Sequence, residues 1–103
     1  LHVDDCADAL TLLLQVHFGA EPINVGSGAD VTIRELADLV ARVVGFTGRV
    51  AADPERPDGT PRKLMSGARL AALGWRPRVG LEEGVRQTYA WFLDRFAAEA
   101  RAL

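Results

Sequence analysis

Pro22-Ile23-Asn24-Val25-Gly26-Ser27-Gly28-Ala29-Asp30-Val31-Thr32-Ile33-Arg34-Glu35 is the stretch on which the fold turns. A leading proline and β-branched residues predict a short strand over 22–26. Ser27 to Asp30 reads as a turn. Thr32 and Glu35 form a capping box, in which the Thr32 hydroxyl accepts from the Glu35 N–H and the Glu35 side chain reaches back to the Thr32 N–H. Ile33, Leu36, Ala37, Val40, Val43 and Val44 follow at helical spacing, and Gly45 ends the helix. Gly26-Ser27-Gly28 also looks like the start of a dinucleotide-binding fingerprint. That fingerprint needs a third glycine where Val31 stands, so the residues read as a tight strand-to-helix turn.

Upstream, Asp4 and Asp5 stand where they can cap a helix over about residues 6–18. Its apolar positions, Ala7, Leu10, Leu12, Leu13, Leu14 and Val16, go most of the way round, which predicts burial on more than one side. Gly19 is its stop. Downstream, 49–52 reads as a second short strand. Residues 53–63 hold Pro54, Pro57, Gly59 and Pro61 and cannot be helix or central strand. Ser66 caps a short helix over about 67–73, closed by Gly74. A last helix starts at Leu81, with Leu81, Val85, Thr88, Tyr89, Phe92 and Phe96 on one face. These aromatics, with Trp75 and Trp91, read as core rather than as a stacking platform. The fold class is α/β, helices around a few short strands. Two short strands make a marginal sheet, so the chain is expected to lean on a larger partner.

The chain has 103 residues, 49 % hydrophobic and 25 % charged, which excludes disordered and low-complexity classes. It opens at Leu1 without Met and reads as the middle of a longer protein, with 1–103 as one region of it. No apolar run approaches the roughly 18 residues of a membrane span, and no secretory signal is visible. One cysteine, Cys6, offers neither an internal disulfide nor a metal framework, so a cytoplasmic setting is expected. His2, Cys6 and His17 do not read as a metal or nucleophile cluster, because Cys6 and His17 share a helix face but lie about three turns apart, too far to touch, and no catalytic arrangement of serine, histidine and aspartate is present. Asp4-Asp5 reads as a capping pair rather than a catalytic one.

A net charge of −2 argues against a nucleic-acid binder. Residues 49–78 nevertheless carry seven basic side chains (Arg49, Arg56, Arg62, Lys63, Arg69, Arg76, Arg78) against three acidic ones (Asp53, Glu55, Asp58). Either this segment takes a single anionic ligand, or its arginines simply solvate a loop. Within it, Pro57 and Gly59 predict a turn with Gly59 at positive φ, and Pro61 stiffens the presentation of Arg62 and Lys63. A stiff loop loses less entropy on gripping a phosphate. Arginine grips it bidentately and lysine as a point charge.

Arg-Pro-Asp-Gly-Thr-Pro-Arg-Lys-Leu (56–64) resembles the Lys-Pro-Asp-Gly-Thr-Pro-Arg-Lys signature of GDP-L-fucose synthases, in the extended branch of the short-chain dehydrogenase/reductase family. Leu1-His2-Val3-Asp4-Asp5, Asn24-Val25-Gly26-Ser27-Gly28, Val31-Thr32-Ile33-Arg34-Glu35-Leu36 and Leu73-Gly74-Trp75 resemble the same family in order and spacing. Arg56 departs from the signature lysine, and Ser66-Gly67 from an acidic cap and a non-glycine residue. The resemblance implies the C-terminal substrate-binding part of such an enzyme, with the Rossmann half and every catalytic residue missing. The whole enzyme would epimerise GDP-4-keto-6-deoxymannose and reduce it with NADPH, and this chain would bind no cofactor and no metal. Its substrate-binding residues would be Lys63 first, against the GDP portion, then Arg62 and Asp58. The implied partners are the GDP-sugar and the missing Rossmann domain, with homodimerisation or self-association of the isolated chain. Two alternatives stand beside this one: the same region of another NAD-dependent nucleotide-sugar epimerase or dehydratase, and a non-catalytic oligomerisation module.

Overall fold

The computed structural model describes residues 1–101. Four helices follow one another: α1 (Val3–Val16), α2 (Ile33–Val44), α3 (Ala68–Ala72) and α4 (Leu81–Arg101). α2 packs against α4. No strand is present among the described residues, which corrects the few short strands expected, those at 22–26 and 49–52. A strand exists only through a ladder of backbone bonds to a neighbour. Here arginine side chains take carbonyls of these segments: Arg69 Nη1 donates to the Pro22 carbonyl at 3.1 Å, and Arg34 Nη1 to the Val50 carbonyl at 3.2 Å. Ile23 and Val25 still turn inward, packed with Leu12 and Leu13 against the core of Ala9, Leu70 and Trp75.

The helix ends follow local chemistry closely. The Thr32 hydroxyl accepts from the Glu35 N–H at 3.0 Å, as predicted; the return bond from the Glu35 carboxylate is not made among the described residues. Gly45 (φ 75°) and Gly74 (φ 88°) take the left-handed conformation that ends α2 and α3. After each, the next N–H reaches back into the last turn: Phe46 N–H to the Ala41 carbonyl at 2.9 Å, Trp75 N–H to the Leu70 carbonyl at 3.3 Å. Ser66 bonds the Ala68 N–H at 3.4 Å, but Gly67 holds the cap position, so α3 is shorter than predicted. α4 kinks at Phe96, whose φ of −127° is not helical.

α1 departs from expectation at both ends. It begins at Val3, capped by the His2 Nδ1, which accepts from the Asp4 N–H at 3.2 Å. It stops at Val16, and the His17 ring turns to the Glu21 carbonyl, 2.9 Å away. Asp5 caps nothing on its own helix. It is buried, 3 % exposed, and its carboxylate accepts from the Val79 N–H at 2.9 Å and the Arg78 N–H at 3.1 Å. Beside it, Asp8 accepts from the Trp75 indole N–H at 3.0 Å. These two carboxylates bind α1 to the segment between α3 and α4.

The core is small. Ala9, Leu39, Leu70 and Trp75 are the buried apolar side chains among the described residues. Leu39 lies outside the apolar stripe counted from the sequence, whose Ile33, Val40 and Val44 point outward. α1 is covered on one side rather than on several, and Val3, Leu10 and Leu14 form an exposed stripe. Trp91 and Phe96, expected in the core, are also exposed; they stack edge-to-face at 5.7 Å beside the α4 kink. A radius of gyration of 17.0 Å exceeds the ~13 Å of a compact chain of this size.

Candidate functional site

The cationic loop crosses the surface between the 49–52 segment and α3. Every residue from Ala51 to Ser66 is exposed. Its one tight turn lies at Asp53–Arg56, earlier than predicted. There the Asp53 carboxylate accepts from the Glu55 N–H at 3.0 Å, and the Asp53 carbonyl from the Arg56 N–H at 3.3 Å. Pro54 supplies the fixed φ that such a turn favours at its second position. Gly59 is not at positive φ, so the expected turn around Pro57 and Gly59 is absent and the chain there runs open.

Arg62 fixes the far end of the loop. Its Nε donates to Asp30 Oδ2 at 2.6 Å and its Nη2 faces Asp30 Oδ1 at 3.5 Å, a two-pronged grip across 32 residues. The Asp30 carboxylate, by hydrogen bond and then by charge, holds the Arg62 guanidinium above its ordinary pKa. Lys63, next in line, is exposed and makes no ion pair among the described residues. Asp58 is likewise exposed. The structure thus brings Arg62 to Asp30 and leaves Lys63 and Asp58 facing solvent. Asp30 is the residue that sequence reasoning missed; nothing local to it marks a partner 32 positions away.

Asp30 also stands on the rim of a long apolar groove of about 1400 Å³ between the start of α1 and the α2–α4 pair. Leu1, Val3, Val40, Val85 and Trp91 line it. The groove is larger than the ~300–1,000 Å³ of a typical small-ligand pocket. At its far end, Gly80 precedes α4, whose Glu82 accepts from Arg86 at 2.7 Å and faces Arg42 of α2 at 3.6 Å. Arg86 first, opposed by partial burial, and then Arg42 hold the Glu82 carboxyl below its usual range.

Gly26 to Val31 is an irregular segment with bends at Gly26 and Gly28. The Ser27 hydroxyl closes the turn on itself, donating to the Ala29 carbonyl at 3.1 Å, and Gly28 sits at φ 79°. Helix α2 starts only at Ile33, beyond Val31. No group of three or more histidine, cysteine, aspartate or glutamate side chains among the described residues is placed to hold a metal. No described helix is long and apolar enough to cross a membrane.

No family model matches the chain. Among curated proteins it is 58 % identical over 93 residues to GDP-L-fucose synthase 1 of Arabidopsis thaliana, covering 90 % of this chain and 29 % of that protein. It is 48 % identical over 108 residues to the GDP-L-fucose synthase of Escherichia coli (strain K12), covering 93 % and 34 % respectively. A GDP-L-colitose synthase of Yersinia pseudotuberculosis is 34 % identical over 96 residues, covering 91 % and 31 %. The chain therefore spans about three tenths of the length of the relatives it matches.

Proposed function

We propose, from the similarity to GDP-L-fucose synthases, that the chain belongs with them and that residues 1–103 are the GDP-sugar-binding, C-terminal region of such an enzyme. The complete protein, in this reading, is an extended short-chain dehydrogenase/reductase that epimerises GDP-4-keto-6-deoxymannose and reduces it with NADPH. The cofactor would be held by the Rossmann portion. A cytoplasmic setting fits the lone thiol of Cys6.

One observation carries the reading: the 56–64 loop is anchored by Arg62 and presents an unengaged ammonium, Lys63, to solvent. Lys63 would meet the diphosphate as a point charge. Arg62 would add its remaining N–H edge, and Asp58 would take a donor of the nucleotide or sugar. The groove and the Val3–Leu10–Leu14 stripe would be covered by the rest of the protein. Their apolar surface is of the kind that a second unit of the same chain buries.

In the complete enzyme, Lys63→Ala should raise KM for the GDP-sugar at least tenfold, about the 1.4 kcal/mol lower end of a charge-assisted phosphate contact, with kcat changed much less. Loop amides near Lys63 should shift when GDP is added. An unchanged KM together with unmoved amides at millimolar GDP would sink the assignment. Assays with UDP- and dTDP-sugars separate it from the neighbouring nucleotide-sugar enzymes.

A further inference from the structure

We infer that Asp30 is a positioning residue: by gripping Arg62, it fixes the direction in which the loop presents Lys63 to the ligand's diphosphate. This rests on the reading of the loop just given. Three observations carry it. First, Asp30 sits on a rigid base. The Ser27 hydroxyl and the left-handed Gly28 lock the turn before it, and the Thr32 cap of α2 follows two residues later. Second, the loop has little order of its own beyond residue 56. Its 57–60 stretch has no regular structure, so the Arg62–Asp30 grip is what ties its end to the body of the protein. Third, Asp30 lies on the groove rim, so the grip sets the loop beside the groove rather than across open surface.

Fold stability does not explain the pair. The Arg62 side chain is 68 % exposed and that of Asp30 41 %, and ion pairs so exposed add little to stability. Their geometry does supply direction. The grip uses Nε and Nη2, which fixes the guanidinium plane and leaves Nη1 outward, one residue before Lys63. A competing arrangement has the opposite sign. If Asp30 merely occupied Arg62 until an anion displaced it, removing the carboxylate would tighten binding.

The experiment uses the complete protein containing this chain, with GDP as the titrated probe in calorimetry. Asp30→Asn should raise the Kd for GDP about two- to tenfold, the penalty for ordering one or two side chains afresh, while the melting temperature stays nearly unchanged. Asp30→Glu, which keeps the charge, should bind within about twofold of the parent, inside that same ordering penalty. An unchanged or tighter Kd in Asp30→Asn overturns the inference, as does Asp30→Glu binding as weakly as Asp30→Asn. Should the parent protein bind no GDP at all, the loop's assignment fails instead. The positioning role is then read from ¹⁵N relaxation of the 57–64 amides: greater mobility in Asp30→Asn supports it, and unchanged mobility overturns it.

Discussion

Asp5 accepts from two backbone N–H groups, those of Arg78 and Val79, and it does so as a carboxylate. The Val79 N–H is the main cause of its lowered pKa; burial opposes it, and the Arg78 N–H adds to it. A lowered native pKa means the contribution is complete above the ordinary carboxylate range, near pH 4, and is lost as pH falls through the native value. Asp5→Asn keeps one acceptor and should lower the melting temperature at neutral pH, and Asp5→Ala should lower it further. In urea melts the gap between parent and Asp5→Asn should narrow as pH drops towards 3. A gap that does not vary with pH would show that the charge is immaterial. Trp75 spends its indole N–H on Asp8 and its ring on Leu70. Trp75→Ala should cost about 3–5 kcal/mol, measurable by the same melts and large against so small a core. The sequence gives Asp5 the look of a helix cap because capping is local, whereas its actual donors are 73 and 74 residues away.

The boundaries at Thr32, Gly45 and Gly74 are legible for the same reason that the strands are not, whereas both ends of α1 are not legible. A cap is settled within three or four residues, so Thr32, Gly45 and Gly74 announce themselves. Thr32→Ala should cost about 1 kcal/mol. Gly45→Ala, forced to φ near 75°, should cost about 1–2 kcal/mol. Circular dichroism melts check both. A strand, in contrast, is a property of two segments, and residues 22–26 and 49–52 gave only the propensity of one. The exposed loop that carries Arg62 and Lys63 is legible from its prolines and basic residues. The location of the turn, at Asp53 rather than Gly59, was not, because an aspartate side chain closes it where a glycine was expected to.

Among the described residues, four apolar side chains are buried while many large ones are exposed. Val3 (70 %), Leu10 (52 %) and Leu14 (83 %) run along one side of α1, and Trp91 (55 %) lies in the groove. The isolated chain should therefore self-associate. Sedimentation should show mass rising with concentration, and Leu10→Glu with Leu14→Glu should suppress that rise while helicity is kept, since neither side chain is buried. A monomer at all concentrations would mean that the stripe needs no cover.

The contact between Asp5 and residues 78–79 also bears on the order of events during synthesis. Closing so long a span is slow relative to forming the local helices. While the chain is being made, Asp5 waits for more than seventy further residues before its two donors arrive. For that interval α1 lacks the contact that ties it to residues 78–79.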